Sequence, residues 1–210
     1  FINYRIKDFF IQLKGNYITL FWSAETVLLI WLAQKSGINI LKIGSIVTMA
    51  LSIISLVMDW NAIYLGYSTE RISVIFNKAF ATSFTAVLSI SGTLLLLKNE
   101  AEENLVPFLP KKIYSIVLGV SFVVVTYLGG YLEMKYHVNA MLVASTLAWE
   151  AAPIYSACYT LSFLLLAAVY LYFKRIPQAE IFLLVFSIII SVFFMAYYSS
   201  AVATLRDAYL

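Results

Sequence analysis

YITLFWSAETVLLIWLAQK, Tyr17 to Lys35, decides the class of fold. A helix needs about 20 predominantly apolar residues to cross the roughly 30 Å hydrocarbon core of a bilayer, and this stretch has that length. It carries a single acidic residue, Glu25, near its middle. An acidic side chain at the centre of a span costs about 2.5 to 3.5 kcal/mol on insertion scales, so Glu25 is expected to face the bundle interior, water or a partner. Desolvation favours its neutral, proton-carrying form, which gives two readings. One is a proton, cation or polar-substrate site. The other is a protonated Glu bonded to a Ser, Thr or Tyr of a neighbouring helix, fixing helix register.

The rest of the chain repeats this pattern. Only 12% of the 210 residues are charged, about half the proportion found in soluble domains. The mean hydropathy is +0.89. Apolar blocks of membrane-spanning length alternate with short clusters of charge, Pro, Gly or Asn. The predicted fold is therefore all-α, a polytopic transmembrane helical bundle forming one domain over residues 1–210. Because the chain begins with Phe1, it is read as a piece of a longer multi-spanning protein, or as one whose first residues are missing.

Six spans are expected. The first, Tyr17–Gln34, meets the second, Ile38–Trp60, through Lys35-Ser36-Gly37, and so short a connector forces an antiparallel hairpin. The third covers Ala79–Leu97 and the fourth Ile113–Glu133. The fifth, Ala151–Phe173, has Pro153 in its first turn, where a missing N–H is harmless. The sixth runs Ala179–Val202, and the fifth and sixth repeat the hairpin form of the first two. Three sets of small residues are suited to close helix packing: Gly44, Thr48, Ser52 and Ser55; Ala79, Ser83, Ala86, Ser89 and Thr93, expected to face the second or fourth span; and Ser115, Gly119, Thr126 and Gly130.

Between the spans, Phe1–Asn16 reads as an interfacial helix, the tail of a preceding span, or an ordinary flank. Asp59–Lys78, rich in aromatic rings, is placed along the membrane surface as a loop with a short amphipathic helix. Lys98–Lys112, interrupted by Pro107 and Pro110, is expected to be a solvated connector. Val138–Glu150 is too short to span, and is interfacial, re-entrant or an extension of the fifth helix. Seven basic residues fall on each side of the membrane, so the positive-inside rule assigns no orientation.

Few other polar positions suggest chemistry. The candidate buried polar, proton or substrate site comprises Glu25, Asp59 and Glu150. Asp59 also fits the end of a helix at the interface, and Glu150 fits a cap of the fifth span. Trp60, Arg71, Asn77 and Lys78 are candidates for interfacial or partner contacts. His137, the single histidine, is read as having no ligand partner at metal spacing, so no metal and no cofactor are expected. The single Cys158 allows no intramolecular disulfide. No phosphate-binding loop or nucleophile elbow is present, and no Lys/Arg run suits nucleic acid. The expected partners are membrane lipids and further transmembrane helices or subunits.

Thr19 to Leu32, TLFWSAETVLLIWL, resembles a recurring segment in which W-x-x-E is followed by an apolar run and W-L or W-I. That segment belongs to a large bacterial family of many-spanning membrane proteins, known only as a domain of unknown function. Leu56 to Phe80, with Asp59-Trp60 closing one helix and FNKAF opening the next, is similar to its Bacteroidetes-like members. The likeness rests on motifs in roughly the first half of the chain and on hydropathy alone in the remainder. It implies family-like positions at Trp22, Glu25, Asp59, Trp60, Asn77 and Lys78, a bacterial inner-membrane location and more spans than six. It supplies no activity. The leading expectation is a membrane-embedded module of a transport or envelope-assembly protein. A structural or scaffolding domain is the alternative, and a transferase acting on lipid-linked substrates comes third.

Overall fold

In a computed structural model of the protein, residues 16–65, 77–100, 104–107, 109–142, 148–174 and 177–209 are described. Contacts divide the chain into two units, Phe1–Gly130 and Tyr131–Leu210. Among the described residues there are six α-helices and one two-stranded hairpin. Five of the helices are long and apolar enough to cross a membrane.

In the first unit, α1 (Asn16–Ser36) and α2 (Asn39–Trp60) form the expected hairpin. Gly37 closes α1 in the left-handed region, at φ 71°, and its N–H donates to the Ala33 carbonyl at 2.8 Å. Glycine adopts that conformation without the Cβ clash any other residue would meet, so the chain can reverse within two residues. A five-residue π-helical turn, Asn61–Leu65, extends α2. The segment that follows, including the expected amphipathic helix, lies largely outside the described residues, as does Phe1–Gly15.

The third helix, α3 (Lys78–Lys98), starts at a side-chain cap: Asn77 Oδ1 accepts from the Phe80 N–H at 2.8 Å. This satisfies one of the donors that a helix start leaves unpaired. All five expected small residues, Ala79, Ser83, Ala86, Ser89 and Thr93, are buried. The helix packs mainly against α1, and Ser83 of this face also meets the expected second span, where Trp60 bonds its hydroxyl, and the expected fourth, at Gly129.

The connector after α3 is not simply solvated. Strands β1 (Asn104–Val106) and β2 (Leu109–Pro110) pair antiparallel, and Leu105 and Val106 are buried, with β1 against α2. Two adjacent apolar residues in a polar loop were the available signal for this. The next helix, α4 (Lys111–Leu142), begins directly after Pro110.

The fourth helix runs 32 residues without a break at Gly129-Gly130, and absorbs Val138–Leu142. Of the expected segment Val138–Glu150, Val138–Leu142 thus belong to this helix and Ala148–Glu150 to the next, which they extend, while residues 143–147 lie outside those described. The buried face of α4 in the first unit is Tyr114, Leu118, Val125 and Gly129, one register step from the expected Ser115, Gly119, Thr126 and Gly130. Gly129 is where a neighbour comes close: a Cβ there would lie 3.2 Å from the Ser83 Cβ, while a Cβ at Gly119 would meet nothing within 4 Å.

In the second unit, α5 (Ala148–Lys174) and α6 (Pro177–Tyr209) pack as a hairpin. Because α5 starts at Ala148, Pro153 lies inside the helix rather than in its first turn. Tyr131 of α4 lies 6.1 Å, ring to ring, from Tyr159 of α5. The sixth helix is 33 residues long, with an apolar described stretch over Leu183–Ala196. Cys158 is exposed.

The distribution of polarity is inverted relative to a soluble protein. Phe21, Leu28, Trp31, Val47 and Ile54 point outward, while Thr19, Ser23, Thr26, Ser45 and Ser52 are buried. Apolar surface is stable facing hydrocarbon, and helices that bond all their backbone groups internally are the form that a bilayer admits. Between such helices small polar side chains allow close approach and hydrogen-bond across the interface. The chain is a multi-pass helical membrane protein.

Candidate functional site

A hydrogen-bonded seam joins α1 to α2. Thr19, Ser23 and Thr26 fall at four- and three-residue spacing, which places them on one face of α1, and α2 presents Thr48, Ser52, Ser55 and Asp59 in the same rhythm. Thr19 Oγ1 lies 2.7 Å from Ser55 Oγ and donates to Asp59 Oδ2 at 2.6 Å. Ser23 and Ser52 share a 2.7 Å bond. Thr26 Oγ1 lies 3.0 Å from Thr48 Oγ1, and Ser45 donates to the Thr26 carbonyl at 2.9 Å. From α3, Ser89 donates to the Ser23 carbonyl at 2.6 Å. Gly44 allows the approach, since a Cβ there would already lie 3.3 Å from Leu29 Cδ1.

Asp59 ends the seam and is 5% exposed. One carboxylate oxygen accepts from Thr19, and the other has no protein partner among the described residues. Next to it in sequence, Trp60 is buried and its indole N–H donates to Ser83 Oγ at 2.8 Å, tying the end of α2 to α3. Asn77 is the α3 cap described above, and Lys78, the first residue of that helix, is exposed. Of the two candidates Glu25 and Asp59, Asp59 is therefore the one held inside the bundle.

Glu25 lies off the seam. It precedes Thr26, and one residue of α-helix turns by about 100°, which carries its side chain away from the face packed against α2 and α3. It is half-buried and makes no hydrogen bond among the described residues. The expected partner hydroxyl on a neighbouring helix is absent among those residues, and the structure does not bring Glu25 together with Asp59. Glu150 is the third residue of α5, within its first turn, and its side chain is outside the described ones. Arg71 also lies outside the described residues.

Two polar groupings were not singled out from sequence. Lys42 near the start of α2 is 3% exposed and pairs with Glu100 at 3.2 Å, while Lys111 Nζ donates to the Glu100 carbonyl at 2.7 Å. This fastens the turn after α3 to the starts of α2 and α4. An isolated Lys inside an apolar block, Lys42, was the available signal. In the second unit Glu133 lies 2.9 Å from His137 Nε2. The i, i+4 spacing placed them on one helical face, so His137 does have a carboxylate partner, contrary to the expectation. Among the described residues no cluster of three His, Cys, Asp or Glu could hold a metal ion.

The fold and the seam define a class, that of multi-pass helical membrane proteins with polar, hydrogen-bonded helix interfaces. No protein-family model, curated protein or solved structure matches the chain.

Proposed function

We propose that the chain is a membrane-embedded module of a larger transport or envelope-assembly protein of the bacterial inner membrane, within the many-spanning family that Thr19 to Leu32 resembles. The observation that carries this reading is Glu25, a mid-span carboxyl group off the packed face of α1, half-buried and without a partner among the described residues. An unmatched carboxyl group at that depth is expensive, and a donor or cation from another span or subunit removes the cost. Asp59 is the protonatable group of the bundle in this reading: one oxygen is fixed by Thr19 and the other is left to take a proton or a polar solute.

The test is a photoreactive side chain at position 25 of the full-length protein in native membranes. The expected product is a cross-link to a defined protein segment bearing a Lys, Arg, Ser or Thr. Cross-linking to lipid alone, together with undiminished function in Glu25→Leu, would overturn the reading. A structural or scaffolding domain is favoured instead by the seam, whose hydroxyl groups largely satisfy one another. Retained function in Asp59→Asn with unchanged folding would favour that second reading.

A further inference from the structure

The outward surface of the first unit contains a groove with a chemical gradient along it. Helices α1 and α3 run parallel, because Ser89 bonds the Ser23 carbonyl and Gln34 bonds the Leu96 carbonyl at 2.8 Å, so residue numbers rise together on both. Their carboxyl-terminal ends therefore finish at the same side. Between them lies an open groove of ≈ 510 Å³, walled by Ala24, Val27, Leu28 and Trp31 of α1 and by Gly92 and Leu95 of α3. Gly92 makes the space. A Cβ there would stand 3.5 Å from both Val27 methyl groups, an ordinary contact, and the side chain that glycine lacks leaves the trough beyond it open.

Lys35 continues the groove's own stripe. Ala24, Leu28, Trp31 and Lys35 are spaced by four, three and four residues, which keeps them on one face of α1. At 1.5 Å of rise per residue, Trp31 lies about 6 Å below Lys35 and Ala24 about 16 Å below it. Trp31, half-exposed at the upper end, has the ring type that prefers headgroup level. Lys98, the last residue of α3, is exposed at the same end. Lys42 and Lys111 are engaged with Glu100, whereas Lys35 and Lys98 have no acceptor among the described residues.

We propose that this groove binds one anionic phospholipid, an acyl chain lying against Leu28, Gly92 and Leu95 and the phosphate meeting the Lys35 ammonium with Lys98 nearby. The occupant follows from charge complementarity. An apolar slot that opens toward two uncommitted cations about one helical turn above it matches the order of groups in a lipid: tail, glycerol, anionic phosphate. Basic sites between transmembrane helices recognise anionic headgroups by the same means.

The test is native mass spectrometry of the full chain released from micelles containing equimolar dioleoyl phosphatidylglycerol and dioleoyl phosphatidylcholine. One phosphatidylglycerol is expected to remain bound in preference to phosphatidylcholine. The preference should fall roughly fivefold in Lys35→Gln and further when Lys98→Gln is added. Gly92→Phe, which fills the trough, should lose both lipids, and Gly92→Ala should keep them. Lys35 is exposed, so its replacement leaves packing intact and the test does not depend on the glycine variant folding. Equal retention of the two lipids by the unaltered protein would overturn the proposal, as would an unchanged preference in the lysine variants. Displacement by glycerol phosphate alone would indicate a headgroup site without a tail groove. A dimer that Gly92→Phe dissolves would assign the groove to a second copy, and either result also overturns it.

Discussion

Thr19 donates a 2.6 Å hydrogen bond to Asp59 across the α1–α2 interface, forty residues away in the chain and at the end of a row of paired hydroxyl groups. At 2.6 Å the bond lies in the shorter part of the range for hydroxyl donors to oxygen. In a membrane interior, however, interhelical bonds measured by double-mutant cycles average only about 0.6 kcal/mol, because the separated helices also find partners. The seam's contribution is therefore spread over several rungs.

Thr19→Val removes the donor to Asp59 and the bond to Ser55 at once. The expected loss is about 1 to 2 kcal/mol, since two bonds go and a buried carboxyl group is left without its partner. Reversible unfolding in mixed micelles measures it. In a cycle with Asp59→Asn, coupling beyond about 0.5 kcal/mol is expected. Strict additivity would show that the contact has no energetic weight.

Lys42→Met should cost more, about 3 to 5 kcal/mol, because it strands Glu100 in a site where the pair is nearly inaccessible. Replacing both partners, Lys42→Met with Glu100→Leu, is expected to recover most of that loss, as hydrophobic substitutes for a buried pair often do. Thermal unfolding of the single and double variants checks this. Equal stability of Lys42→Met and the unaltered protein would mean that the pair is solvated in the membrane.

Two of the three glycines of α4, Gly129 and Gly119, should behave in opposite ways. Gly129→Leu forces atoms into Ser83 and Trp60, and overpacking of this kind costs about 1 to 3 kcal/mol. Loss of the Trp60–Ser83 bond should accompany it, visible as a shift in tryptophan emission. Gly119→Ala meets no atom within 4 Å and should be neutral or stabilising by up to about 1 kcal/mol, the helix-propensity difference between the two residues. Comparable destabilisation in both variants would contradict the register described for α4.

Gly37→Ala places a Cβ on a residue at φ 71° with open space around it, so the penalty is conformational alone. The left-handed region costs a residue with a Cβ roughly 1 to 2 kcal/mol. Unfolding of the isolated substitution measures it, and Gly37→Asn should cost less than Gly37→Ala because Asn tolerates that conformation.

Much of the architecture was legible because the membrane makes it so. Hydrocarbon thickness fixes the length of an apolar block, and a short connector leaves two helices no choice but to pair. The small residues of α2 and α3 announced their packing faces correctly, since only small side chains let backbones approach closely. Legibility failed where one residue of phase mattered. On α4 the glycines and hydroxyl groups suggested a face one step away from the one that is buried, because a small residue is compatible with packing without requiring it. On α1 the cost of a mid-span carboxyl group drew attention to Glu25, while Thr19, Ser23 and Thr26, at matching spacing, carried the interface.

The sequence by itself determined the class of this protein, its helix hairpins and two of its packing faces, because apolar length and small-residue spacing are local properties of the chain. Only the tertiary structure decided which carboxyl group is enclosed and which is left on the outer flank. Asp59 is inside because the face of α1 that bears Thr19 meets α2, and that choice of face depends on how closely Gly44 and Leu29, Ser23 and Ser52, and Ser89 and the Ser23 carbonyl can approach. Helical phase relative to a neighbour is a property of the pair, and neither helix carries it alone.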